Sequence, residues 1–116
     1  MIKASRTRPD DDHIWRALAD PTRRAILDLL RRGRMTTGDL ADRFDQSRFG
    51  IMKHLGVLTE AGLVVVEREG RLRWNHLNPV PIRDVYRRWV APFEEDALER
   101  LERLKQHAER AVKEAE

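Results

Sequence analysis

Two apolar stripes at helical spacing lie close together in the middle of the chain. Leu40, Ala41 and Phe44 form the first; Ile51, Leu55 and Leu58 form the second. Only Asp45-Gln46-Ser47 separates them, a stretch too short and polar for another element, so the two helices must cross sharply. Past Gly62 the period changes from helical to alternating. Leu63–Glu69 and Arg71–Leu77 meet at Gly70, which predicts a β-hairpin directly after the second helix.

The flanking pattern supplies more helices. Asp10, Asp11 and Asp12 place acidic groups where a helix N-terminus favours them, ahead of Ile14, Trp15 and Leu18. Asp20-Pro21 reads as an N-cap and a first-turn proline, opening a helix with Ile26, Leu29 and Leu30 inward and Gly33 as its stop. Met35 is a candidate short strand beside the hairpin. Thr36-Thr37-Gly38-Asp39 resembles a capping sequence, Ser47 caps the next helix, and Gly62 suits its left-handed end. Pro79 and Pro81 break the chain. After them a short helix to Val90 and a longer one from Pro92 are expected, since proline inside a helix removes a donor and forces a kink.

The fold expected is mostly α with a small β-hairpin: a winged helix-turn-helix with additional N- and C-terminal dimerisation helices. Residues 1–9 form a mobile basic arm, residues 10–80 the winged helix-turn-helix, and residues 81–116 a helical dimerisation region whose tail, KQHAERAVKEAE, frays. Leu98, Leu101, Leu104 and Ala108 make an apolar stripe beyond a body that is already closed. Such a stripe either packs back on its own domain or meets a second copy. The second reading is favoured, with Trp15, Leu18, Trp89 and Phe93 completing the interface.

Charge changes this picture only modestly. The net charge is +3, from 23 basic and 20 acidic residues, and the excess lies in the first third. That permits a polyanionic partner without establishing one. The absence of cysteine excludes disulfides, thiolate metal sites and cysteine nucleophiles. No N-terminal signal-like run and no stretch approaching the ~20 apolar residues of a membrane span is present, so a cytoplasmic protein without membrane contact is expected. There is no glycine-rich phosphate loop, nucleophile motif or carboxylate pair to support an enzyme.

A helix-turn-helix followed by a hairpin is used chiefly to hold a helix in the DNA major groove, so double-stranded DNA is the expected partner. Arg48 and Lys53 stand opposite Ile51, Leu55 and Leu58 and should point outward, the arginine to a base edge and the lysine to phosphate. Phe49 and Met52 have two readings: contact with thymine methyls, or filling of the turn around Gln46. Gly50 either admits the DNA backbone closely or is merely tolerated. His54 has no ligand partner at helical spacing and is expected to bond a phosphate or a neighbouring helix. Trp15, Trp74 and Trp89 are either structural or the lining of a small-molecule pocket. The main rival is a winged-helix protein-interaction module; RNA binding lacks an aromatic stacking platform.

ALADPTRRAILDLL, the DLADRF helix, KHLGVLTEAGLV and the GRLRWNHL hairpin, in that order and at matching spacing, together resemble the ArsR/SmtB family of bacterial winged-helix repressors. The resemblance runs without a gap from about Trp15 to Pro79. It implies a homodimeric repressor, joined through its terminal helices and released from an inverted-repeat operator by an inducer that the sequence leaves unknown. Carried over by position, Ser47, Arg48, Phe49, Gly50, Met52, Lys53 and His54 become the exposed start of the recognition helix, Gly70 the wing tip, and Arg68, Arg71 and Arg73 its cations. The chain departs from the family pattern at Phe49 and Met52, where small polar residues are usual, and at Gln46, often apolar. The SRFGIMKHLGVL and RRWVAPFEE segments resemble a cysteine-free subgroup encoded beside START-like (SRPBCC) proteins. The family's metal sites find no counterpart here: Asp39 and Leu40 stand where cysteines are needed, and the terminal helix offers only His107. No metal and no cofactor are expected.

Overall fold

A computed structural model describes residues 9–115, and the basic arm expected over residues 1–9 lies almost wholly outside them. The elements are α1 (Pro9–Leu18), α2 (Pro21–Leu30), β1 (Met35–Thr36), α3 (Thr37–Asp42), α4 (Arg48–Glu60), β2 (Val64–Glu69), β3 (Leu72–Leu77), α5 (Val80–Val85), a π-helical turn (Tyr86–Val90) and α6 (Ala91–Ala115). The chain divides into two compact units between Ile82 and Arg83.

Local chemistry sets the helix starts of the first unit. The Asp20 carboxylate accepts from the backbone N–H of Thr22 and Arg23, at 2.8 and 3.1 Å, and Pro21 follows where its missing N–H costs nothing. Thr36 accepts from Asp39 N–H at 3.1 Å to open α3, and Ser47 accepts from Gly50 N–H at 3.0 Å to open α4. Gly62 adopts φ +77° at the end of α4, where Leu63 N–H reaches back to the Leu58 carbonyl at 2.9 Å.

Ile26, Leu40, Ile51, Leu58 and Leu63 are fully buried and form one core with Ala17, Leu27, Leu30, Leu55 and Val64. The three strands pair antiparallel in the order β1-β3-β2, with Met35 opposite Asn75 and Arg68 opposite Arg73. Buried Asn75 is the polar pin of the sheet, donating to the Met35 carbonyl and the Thr37 hydroxyl at 3.2 and 3.1 Å. Gly70, at φ +61°, turns the wing.

One sequence expectation is corrected in the second unit. Pro92 makes no break: Tyr86–Val90 widens into a π-helical turn, with Ala91 N–H bonded to the Tyr86 carbonyl, and α6 runs on from Ala91. A π turn shifts the hydrogen-bond ladder locally and so accommodates proline's missing donor without ending the helix. The tail expected to fray is helical through Ala115. No residue of α6 is buried.

Candidate nucleic-acid interface

The second helix of the helix-turn-helix turns a mixed cationic and apolar face outward. Burial of Ile51, Leu55 and Leu58 fixes its rotation, which leaves Arg48, Phe49, Met52, Lys53 and Gly56 exposed or nearly so along the opposite side. Phe49 is 68 % exposed and Met52 43 %, so neither fills the turn. Gln46 supplies that packing itself: its amide donates to the Thr22 hydroxyl at 2.8 Å, tying the turn to α2. The Lys53 ammonium lies 4.8 Å above the Phe49 ring, a cation–π pair one helical turn long.

Of the glycines in this region, Gly50 is the one placed by close approach. A Cβ on Gly50 would stand 3.3 Å from the Ser47 hydroxyl, so its smallness serves the cap of α4. A Cβ on Gly38 would stand 3.5 Å from the Arg48 guanidinium, which reaches back over the start of α3. Ser47 spends its hydroxyl on the cap, while Arg48 begins the helix at an exposed position.

His54 turns inward. Its Nδ1 lies 3.2 Å from an Arg23 guanidinium nitrogen and 4.0 Å from the Asp20 carboxylate, so of its two expected partners the structure supplies the neighbouring helix. Arg23 is the residue that sequence reasoning missed. Its guanidinium also donates to the carbonyls of Ala17 and Arg16, at 2.9 and 2.8 Å, linking α1, α2 and α4 through one side chain. Burial of the Asp20 carboxyl works to raise its pKa. The backbone N–H groups of Arg23 and Thr22, with the nearby His54 and Arg23 side chains, outweigh it and hold the group below its ordinary value.

The wing has two faces with different chemistry. Val64, Val66 and Arg68 share one face with Leu77, Asn75 and Arg73, because directly opposed residues project to the same side. That face passes from apolar at the base to cationic at the tip, where Arg71 adjoins the Gly70 turn. The other face carries Glu67, Glu69, Trp74 and His76. Arg34 clamps it, 3.1 and 3.6 Å from the two glutamates and 3.9 Å above the Trp74 ring. Arg34 lies past the Gly33 stop of α2, and that position was the signal in the sequence that it belongs with the sheet.

Residues expected at a dimer interface are partly brought together. Leu18 packs against the core of its own unit, while Trp15 is 41 % exposed. Trp89 and Phe93 stack with centroids 6.2 Å apart, and Leu98, Leu101 and Leu104 line α6 in the open. Among the described residues, three clefts of the first unit, at α4–β3, at α3–α4–β3 and at α2–α3, carry no tryptophan in their lining. The chain has no cysteine, and among the described residues no group of three histidine or carboxylate side chains converges.

A helix-turn-helix with an outward cationic helix and an arginine-tipped hairpin defines a winged-helix DNA-binding fold. Residues 18–67 match a family described as a helix-turn-helix domain. The chain is 40 % identical over 82 residues to the transcriptional repressor SdpR of Bacillus subtilis, covering 71 % of this chain and 90 % of that protein. Its fold is similar to the crystal structure of an ArsR family transcriptional regulator (TM-score 0.69, 37 % identity, 74 % of this chain and 93 % of that one). It is likewise similar to an ArsR-like regulator from Rhodococcus sp. RHA1 (TM-score 0.68, 30 % identity, 85 % and 92 %). The chain belongs to the ArsR family of winged-helix transcriptional regulators, a DNA-binding and non-enzymatic class.

Proposed function

We propose that the protein is a homodimeric repressor that binds an inverted-repeat operator, with α4 in the major groove of each half-site and the wing against the flanking backbone. The observation that carries this reading is the wing tip: Arg68 stands directly across from Arg73, with Arg71 beside them and Arg48 and Lys53 exposed on α4. Like charges directly opposed on a sheet are destabilising, and a phosphate between them converts that cost into binding. Arg48 reads a base edge, Lys53 meets phosphate, and Phe49 and Met52 contact thymine methyls. His54 and Gly50 support α4 from behind rather than touching DNA.

The exposed stripe of α6 and the aromatic pair Trp89–Phe93 join the subunits, with Trp15 at the margin. Repression is supported by the naming of SdpR as a transcriptional repressor. No described helix is long and apolar enough to cross a membrane, in keeping with action on DNA in the cytoplasm. The SRFGIMKHLGVL and RRWVAPFEE segments support placement in the cysteine-free subgroup encoded beside START-like proteins, which the neighbouring genes test directly.

Selection of bound sites from random duplex DNA tests the reading as a whole. It should return an inverted repeat with half-site centres about one helical turn, or a multiple of it, apart. A pool that shows no enrichment, or that yields unpaired single sites, would overturn it.

A further inference from the structure

A cleft of about 370 Å³ opens between the second half of α4 and β3, lined by Met52, Leu55, Gly56 and Thr59 on the helix and by Thr37 and Arg73 across from it. Its lining is mainly apolar, with Glu60 the other charged contributor. A Cβ on Gly56 would meet nothing within 4 Å, so the space above the helix is open there. A second hollow of about 340 Å³ shares Thr37, Met52 and Arg73 with the first. It adds Arg48 and Arg71, set against Asp39 and Asp42 of α3. The surface thus passes from an apolar chamber to a mouth where three arginines outnumber two carboxylates. Arg73 lies in both, and its buried Nε finds no acceptor among the described residues.

We propose that this cleft binds a small amphipathic anion, its apolar body over Leu55 and Gly56 and its single carboxylate or sulfonate head on Arg73. The volume lies within the range of small-ligand sites, and few but well-placed polar groups are the usual means of orienting such ligands. Resting on the repressor reading above, the same occupancy excludes DNA, because the anionic head takes arginines that the wing presents to phosphate. The ligand then acts as a direct competitor, with no change of conformation required.

Anilinonaphthalene sulfonate is a suitable probe, with phenylnaphthylamine as the analogue that keeps the rings and lacks the anion. The protein should bind the sulfonate saturably, about tenfold tighter than the neutral analogue. Arg73→Gln should weaken the sulfonate by about the same factor and leave the neutral analogue unchanged. Gly56→Leu fills the chamber at an exposed position where leucine is the better helix former, so it should abolish both while preserving the circular dichroism spectrum. A folded Gly56→Leu protein that binds the sulfonate as the wild type does would place the dye elsewhere, for example on the leucines of α6, and overturn the proposal. The same dye titration, carried out without DNA, decides the cleft even if no duplex is bound, a result that would sink the operator reading alone. Simultaneous binding of dye and operator would overturn the exclusion.

Discussion

Arg23 lies on α2 rather than α4, yet it bonds the carbonyls of Ala17 and Arg16 and the ring of His54 at once. Hydrogen bonds to a charged group contribute about 1.5–3 kcal/mol each way they are tested, so Arg23→Met, which keeps the apolar stem, should lower unfolding free energy in urea by about that amount. It should weaken all duplexes alike, since it loosens the placement of α4 without altering what α4 presents. Arg48→Ala differs in kind. It should cost about 1–3 kcal/mol and relax preference at one position of each half-site, whereas Lys53→Ala weakens every duplex equally. Unchanged site preferences in Arg48→Ala, measured by selection from a random pool, would remove its base-reading role. Asp20 carries the pH dependence at this scale. Its folded pKa is lowered, so its contribution is complete above the ordinary aspartate range and fades as pH falls through the lowered value. Asp20→Asn keeps an N-cap but not the titration, and thermal melts should show a shallower loss of stability on the acid side.

At the scale of elements, the wing separates a face clamped by Arg34 from a face tipped with arginines. Glu67, Glu69 and Trp74 are engaged by Arg34, while Arg68 and Arg71 remain exposed. Replacing Arg68 and Arg71 together by glutamine should therefore flatten the salt dependence of operator binding, by about 0.9 in log–log slope for each phosphate that is no longer neutralised. An unchanged slope would assign both arginines to solvent. The same elements show what was legible in the chain. Caps at Asp20, Thr36 and Ser47, the stop at Gly62 and the hinge at Gly70 depend on neighbours within a few residues, and all stand where the pattern put them. The strand at Met35 was anticipated too, although its pairing with Asn75 spans 40 positions. What escaped depends on distance along the chain. The links Arg23–His54 and Gln46–Thr22 join residues 31 and 24 positions apart, and nothing local at either end announces the other. Asn75 left a trace, a polar residue at an inward register position of an alternating strand. Pro92 misled because proline's cost is fixed locally, whereas its relief by the preceding π turn is a property of the whole helical run.

For the whole molecule the decisive stripe is that of α6, a helix of 25 residues with none buried. Leu98, Leu101 and Leu104 are 58, 61 and 63 % exposed, and Val112 extends the row at 64 %. An apolar stripe of that length is costly to leave in water, since each leucine gains about 1.5–3 kcal/mol when fully buried. In the homodimer we propose, a second copy of the same helix supplies a matching stripe, and the two-fold symmetry of that pairing is the symmetry an inverted repeat demands. Leu101→Glu places a charge in that seam from both subunits, so its cost is incurred twice, while within one chain the position stays solvated and the helix is retained. The variant should be monomeric at micromolar concentration with nearly unchanged circular dichroism, and operator affinity should fall because a single α4 loses the second half-site. Sedimentation at several concentrations measures the first effect and gel shift the second. A wild-type protein that sediments as a monomer throughout, or a folded Leu101→Glu that stays dimeric, would show that the α6 stripe is not the seam between subunits.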